Sequence, residues 1–536
     1  MVRPVGEVLR FLPAGSDSFL IEVADLETAQ ALFDRLHEKK LSGVRELIPA
    51  ARTVMVRFDP LETDRARLAE LIAETDLSQR TAREGSFFEI PVVYDGEDLA
   101  DVAALLGWTI EELIRRHSEA TFTVAFTGFA PGFSYMTCDD PAFDVPRRKS
   151  PRVRIPAGSV AIGGRFAGIY PSDSPGGWQL LGTTPWRMWD TERERPALLA
   201  PGDRVRFRRL SAPEDAPVGV ASAKAIASAP PASGLTVTRS DRPALYQDLG
   251  RAGRADQGIS ESGALDRVAL SEANLCVGNP RDATVIEITF GGFSLLADRP
   301  VTLAVTGAPC PLTLHRSDRS DVAVPSGRPF ALDAGDELRI GLPPEGMRSY
   351  LALRGGFEVA AVIGSTSTDT LAKVGPEPIA SGDILVPAER RSMAVDPFRP
   401  LPRPLPRSGE TVTLDIILGP RSDWFTDKGL ETLVSQSWQV TAESSRVGMR
   451  LSGSVPLERR DAAELASEGT ALGAIQVPHS GQPVIFQADH PLTGGYPVIG
   501  VIAAHHLDLA GQVPIGANIR FHPIAPFDPL VKETIR

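Results

Sequence analysis

Cysteine is scarce. Cys138, Cys276 and Cys310 lie far apart and form no CxxC pair, which fits a reducing cytosol and gives no structural zinc. Long apolar runs are missing too, so no segment reaches the roughly 20 residues that a membrane helix needs. The opening MVRPVGEVLRFLPAG lacks the continuous apolar core of a secretory signal, and the expectation is a soluble, cytoplasmic protein with no membrane partner. Basic blocks are also lacking. The 56 Lys and Arg against 68 Asp and Glu leave a formal charge of −12, which argues against nucleic acid as a partner. No Gly-x-x-x-x-Gly-Lys-Ser/Thr phosphate loop occurs.

What the chain does have is glycine (48) and proline (46), punctuation that favours many short strands and turns over long helices. Its 536 residues suggest three or four domains at about 150 residues each. Residues 1–82 read as a β-β-α-β-β-α unit of ferredoxin-like type. Strands are expected at 5–12, 18–23, 44–48 and 53–58, with helices capped by Asp25 and near Thr63. Residues 83–210 read as short strands around a helical pair at 98–105 and 109–117. The Ala/Pro/Ser-rich stretch 211–233 is a linker, as if two polypeptides had been joined. Residues 234–536 repeat the strand-and-turn texture, interrupted by the proline-dense 396–408, which suits a surface crossing rather than a central strand.

Chemistry concentrates in Gln487-Ala-Asp489-His490-Pro-Leu-Thr493-Gly494-Gly495-Tyr496-Pro-Val-Ile-Gly500. Asp489 and His490 are the leading acid/base pair, since a carboxylate beside an imidazole orients it and raises its pKa. Adjacent strand residues point to opposite faces, so the pair cooperates only at a bend, which Pro491 favours. The competing reading is a capping Asp and a surface His. The glycine frame has an echo at Ser174-Pro-Gly176-Gly177-Trp178-Gln-Leu-Leu-Gly182. Weaker copies at Gly291-Gly292-Phe293 and Gly355-Gly356-Phe357 speak for a recurrent strand bulge. The expectation is one asymmetric cleft, with acid/base groups from the second half and anion-binding groups from the first. The run Arg147-Arg148-Lys149-Ser-Pro-Arg152, stiffened by Pro146 and Pro151, could hold a carboxylate, carbamate or phosphate. Tyr135, Tyr170, Trp178, Gln487, Thr493 and Tyr496 are candidates for lining a pocket, and Arg354, beside Gly355-Gly356, for holding an anion. His505-His506 has no partner at metal-ligand spacing and reads as structural, so no metal site is expected.

Together these stretches resemble a known pair of proteins. PGFSY, PRRKSPR, PAGSVAIGG and GIYPSDSPGGW resemble the B subunit of 5-oxoprolinase, also called KipI or allophanate hydrolase subunit 1. QDLGRAG, SGALD, EANLCVGN, RSYLALRGG, RVGMRL and ADHPLTGGYPVIG resemble its companion, the C subunit, or KipA. The fused pair is also similar to the carboxyltransferase domain of urea carboxylase. The resemblance implies a mainly β protein with α+β parts: a ferredoxin-like N-terminal domain followed by cyclophilin-like β-barrels in both halves, with a cleft between them. It implies the B and C component of an ATP-dependent 5-oxoprolinase, opening 5-oxoproline to glutamate with a separate A-type partner that binds ATP or shares in binding it. Under it Arg148 and Lys149 would stabilise a phosphate while Asp489 or His490 moves protons. The alternative is carboxyl transfer from carboxybiotin to urea or a related amine, with biotin carried elsewhere. A second alternative is Kip-type regulation of a histidine kinase. Self-association stays open.

Overall fold

A computed structural model describes residues 7–77, 85–148, 150, 152–211, 233–395, 403–460 and 463–534. Lys149, most of the expected linker (212–232) and 396–402 of the proline-dense stretch lie outside the described residues. Among the described residues no helix is long and apolar enough to cross a membrane.

The N-terminal unit forms as its pattern predicts, with strands Val8–Pro13, Ser18–Glu22, Val44–Pro49 and Thr53–Phe58 and helices Leu26–Lys39 and Arg65–Ala73. Asp25 caps the first helix by accepting the Thr28 N–H at 2.8 Å. The second is capped by Asp64, one residue beyond the expected Thr63, through the Arg67 N–H at 2.9 Å. Leu32, Leu36, Leu68 and Ile72 bury the helices on one face of the sheet. The other face is not solvated: Leu12, Leu20, Ile48 and Met55 pack on Ala255 and Leu492 of the second half. A sheet covered on both faces needs apolar residues in succession, which is why Ser18–Glu22 reads Phe-Leu-Ile without alternation.

A fifth strand completes this sheet from the far end of the chain. Leu530–Glu533 pairs antiparallel with Val8–Phe11, and Arg65 donates to the Asp528 carbonyl at 2.6 Å. Nothing local in the sequence signals this pairing.

Residues 87–209 form a seven-stranded sheet whose first strand, Phe87–Val92, runs parallel to its last, Arg204–Arg209. Val93 and Thr183 exchange hydrogen bonds of 2.9 and 2.8 Å across its open edges, bringing it close to a closed barrel. The helical pair, Leu99–Leu106 and Ile110–Glu119, packs onto it. In the second half, a six-stranded and a five-stranded sheet share a core that includes Leu235, Ile286, Leu303, Leu338 and Leu351. Beyond it lies a closed seven-stranded barrel, sealed where Thr411–Leu418 runs parallel to Asn518–Ala525 around Trp438, Ile475, Ile485 and Phe521. The mainly β architecture with barrels in both halves matches the expected fold class.

Removing residues 528–536 should leave the C-terminal barrel intact while loosening the N-terminal sheet. Hydrogen exchange should then show faster exchange across Val8–Phe11 and unchanged protection in Thr411–Leu418.

Candidate binding cavity between the two halves

The two glycine frames line the same cavity, of about 360 Å³, one from each half of the chain. From the first half come Tyr135 on strand Ser134–Thr137, Tyr170, Gly176-Gly177-Trp178 and the arginines Arg147 and Arg148. From the second come Thr493, Gly494-Gly495-Tyr496, Ser467 and Arg459. Its floor is aromatic. Tyr135 stacks on Phe126 with centroids 4.4 Å apart and meets Phe133 and Trp178 edge-on at 5.1 and 5.5 Å. Tyr496 stands at the rim, 36% exposed, with His479 edge-on at 5.4 Å.

At the cavity the halves interlock through Thr493. Thr493 Oγ1 accepts the Phe129 N–H at 3.1 Å, and a Cβ at Gly128 would come within 2.4 Å of that same oxygen. Phe129 itself has φ +65°, a left-handed conformation costly for a bulky residue and kept here by this contact and by its edge-on packing on Phe133 at 5.2 Å. Burial pushes the Tyr135 hydroxyl above its ordinary pKa, against the smaller opposing effects of Arg147 and of hydrogen bonds to Ser467 and Thr493. It is a neutral donor at physiological pH.

The basic run divides into two kinds of arginine. Asp98, 1% exposed, takes Arg152 through bonds of 2.9 and 2.8 Å and Arg148 through a short ion pair, and also accepts the Leu180 N–H at 2.8 Å. Arg152 also pairs with Glu97 at 3.0 Å, so two carboxylates balance these two arginines. Arg147 has no ion pair among the described residues, and its guanidinium lies 5.9 Å from the Trp178 ring centroid. Among the described residues Arg147 and Arg459, the latter donating to the Val477 carbonyl, are the cavity arginines without an ion pair.

Of the residues expected to share a cleft, Tyr135, Arg148, Tyr170, Trp178, Thr493 and Tyr496 do so. Asp489 and His490 are placed elsewhere. Asp489 is fully buried and accepts five hydrogen bonds: Arg446 Nε and Nη2 at 3.0 Å each, Ser262 at 2.7 Å, and the Thr370 N–H and hydroxyl at 2.9 and 2.7 Å. Burial alone would raise its pKa; the Arg446 charge and these bonds hold it below the usual carboxylate range. Arg446 also donates to Glu287 at 2.5 Å and to the Gly263 carbonyl at 2.6 Å. The anions that Arg446 binds are thus internal. His490 turns away from Asp489, with Nδ1 2.9 Å from the Pro491 carbonyl and its ring stacked 5.8 Å from Phe486. Burial lowers its pKa to about 4, so the imidazole is neutral. It borders a separate void of about 20 Å³ beside Arg57 and Glu261. Gln487 lines a third cavity with Arg267 and Asp508. Arg354 braces the Val277 carbonyl at 2.7 Å on the outside of the two-sheet unit of the second half. Lys149 lies outside the described residues.

Ser467, Arg459 and His479 enter the cavity from stretches that carry no motif. Proximity in space, not pattern, brings them in.

With this geometry in view, comparison with known proteins decides the family. Residues 9–199 match the family description "Carboxyltransferase domain, subdomain C and D", and residues 257–523 match "Carboxyltransferase domain, subdomain A and B". The chain belongs to this family, with both parts in one polypeptide. It is 36% identical to the 5-oxoprolinase C subunit of Escherichia coli over 292 residues, 54% of this chain and 90% of that protein. It is 45% identical to the 5-oxoprolinase B subunit of Haemophilus influenzae over 155 residues, 28% of this chain and 70% of that protein. Urea amidolyase of Lachancea kluyveri is 30% identical over 298 residues, but these make up only 16% of that longer enzyme. The crystal structure of TTHA0988 superposes with a TM-score of 0.81 at 34% identity, covering 94% of this chain and 99% of that one. The joined arrangement therefore has a solved counterpart along nearly its whole length.

Removing Asp489 would strand Arg446 in the interior, so Asp489→Ala should lower the unfolding free energy by about 3–5 kcal/mol in denaturant titration. Asp369 offers a second test. It is 1% exposed, and burial, then the Asp489 charge, push its pKa up to about 7. A carboxyl whose folded pKa exceeds its unfolded value binds the extra proton when folded, so stability falls as pH rises from about 4 to about 7. Asp369→Asn should be more stable than the parent above pH 7 and lose that advantage toward pH 4.

Proposed function

We propose that this chain is the joined B and C component of an ATP-dependent 5-oxoprolinase, opening 5-oxoproline to glutamate together with a separate A-type partner. The observation that carries this reading is that relatives of both components lie in one chain and meet at a single cavity lined by both. The ligand chemistry fits. 5-Oxoproline is a small five-membered lactam bearing one carboxylate. Arg147 supplies a guanidinium without an ion pair among the described residues for that carboxylate, and Trp178 and Tyr496 supply flanking rings for the lactam. Tyr135, kept protonated by burial, presents a hydroxyl donor to the lactam oxygen, with Ser467 and Thr493 orienting it.

An unstrained amide resists water until its oxygen is made a better leaving group, and the phosphoryl group of ATP supplies that activation. The described wall of the cavity is aromatic rings and arginines rather than a glycine loop at a helix N-terminus, so ATP is assigned to the A-type partner. The task of this chain is then to bind and orient the lactam and exclude bulk water. Asp489 enters as a positioning residue, through the turn that carries Thr493.

A second reading, carboxyl transfer to urea or a related amine, is favoured by the family description and by the urea amidolyase relative. It needs carboxybiotin on another chain, and the same arginine and tyrosine would serve a carboxylated substrate.

The chain purified with its A-type partner, 5-oxoproline and ATP should yield glutamate and ADP together. Arg147→Ala should lower kcat/KM by about 10- to 150-fold, mainly through KM, which corresponds to the loss of one charged hydrogen bond of about 1.5–3 kcal/mol. Absence of turnover with the correct partner, combined with biotin-dependent exchange on urea, would move the assignment to the second reading.

A further inference from the structure

The outer wall of the C-terminal barrel carries a side-chain cluster that the cavity does not use. Asp415 on strand Thr411–Leu418 lies beside His505 and His506 of the turn Ala504–His506 and beside His522 on strand Asn518–Ala525. Asp415 Oδ2 is 2.9 Å from His505 Nε2 and 3.8 Å from His506 Nδ1, and Oδ1 is 2.8 Å from His522 Nδ1. Consecutive residues in a strand would face opposite ways. The 3-10 turn instead sets the two imidazoles side by side, with centroids 4.4 Å apart. His506 Nδ1 also accepts the Asp415 backbone N–H at 2.8 Å, a bond that holds its ring next to the carboxylate and that an ion on this nitrogen would replace. Donor atoms of Asp415, His505 and His506 all lie within 4.8 Å of one another.

We propose that Asp415, His505 and His506 form a binding site for one divalent first-row transition ion of the Zn²⁺, Co²⁺ or Ni²⁺ type, with His522 holding the second carboxylate oxygen from outside. Two imidazoles and one carboxylate suit these borderline ions, whereas Mg²⁺ and Ca²⁺ ask for a shell of oxygens. Bond lengths of about 2.0–2.2 Å require the donors to draw in by a small amount, and the His505 side chain, 57% exposed, is free of the packing that would resist this. The expectation from sequence was no metal, because His505-His506 has no partner at ligand spacing; its partners arrive from residues 90 and 16 positions away along the chain. The three ligands join strand Thr411–Leu418 to the turn that follows its antiparallel neighbour Val498–Ile502, with His522 reaching in from the parallel strand Asn518–Ala525, so an occupied site ties that turn to the barrel wall. Binding to the folded state alone raises stability by mass action.

The full chain, freed of metal with a chelator, is tested by equilibrium dialysis against Zn²⁺, by the visible absorption of added Co²⁺ and by thermal denaturation. One Zn²⁺ per chain and a rise in thermal midpoint are expected. His505→Ala and Asp415→Asn should each abolish saturable binding, and His522→Ala should weaken it by about 10- to 100-fold. His315→Ala, which removes a different surface imidazole paired with Asp321, should leave binding unchanged. If Asp415→Asn disturbs folding, the exposed His505 decides alone. Failure of the parent chain to bind one ion, or full binding by His505→Ala, overturns the proposal.

Discussion

The bidentate pair between Arg446 and Asp489 is the contact on which the candidate site depends. Its geometry fixes the turn that begins at Asp489, and that turn delivers Thr493 to the Phe129 N–H of the other half. Arg446 also reaches Glu287 in the preceding two-sheet unit, so one guanidinium ties that unit to the barrel while setting the far wall of the cavity. Four buried charges meet here, Arg446 and Arg348 against Asp489 and Glu287, and the set is neutral. Such a group costs several kcal/mol per ion to bury, and that cost is offset only where every lone pair is met, as the five bonds on Asp489 do. Its value lies in fixing one arrangement more than in stability as such.

This network and the cavity use arginine in opposite ways. Arg446, Arg148 and Arg152 each face a buried carboxylate, and each positions backbone or loop. Arg147 faces Trp178 and open space. The same sequence run, Arg147-Arg148, thus splits between an anchor and a binding group one residue apart. Anchoring Arg148 on Asp98 is what holds Arg147 in place, because Arg148 also donates its backbone N–H to the Gly177 carbonyl at 2.7 Å, next to Trp178.

Local structure was legible in the sequence wherever a period or a cap carried it. The helices Leu26–Lys39 and Arg65–Ala73 and the strand Thr53–Phe58 follow from spacing, with the Asp25 cap as expected and the second cap one residue past the expected Thr63. The strand Leu530–Glu533 was not legible, since its partner lies at the other end of the chain. The aromatic and threonine lining of the cavity could be read from glycine frames, because glycine permits close approach and leaves its neighbours displayed. Asp489-His490 misled for a physical reason: adjacency suggests an acid/base dyad, but burial sends the carboxylate to Arg446 and leaves the imidazole neutral against Phe486. Sequence shows which groups could titrate, not which are reached by solvent.

The repeated Gly-Gly-aromatic frame can now be separated into two uses. At Gly176 a Cβ would meet the Tyr170 hydroxyl at 2.3 Å, and at Gly494 it would meet Gln476 Nε2 at 2.6 Å. Different neighbours impose the glycine in each half, so the echo reflects convergent packing needs at one shared cavity rather than two equivalent sites. At Gly291 the constraint is the Gly341 carbonyl, 1.9 Å from where a Cβ would sit, and φ is +57°, so backbone conformation and a neighbouring strand demand glycine there. Gly356, with φ +80° and open space around it, is required by conformation alone. The frame is therefore a way of bringing backbone close to something, and only the identity of that something separates a turn from a binding wall. In this chain the distinction falls to Thr493 and Trp178, which line the shared cavity from opposite halves.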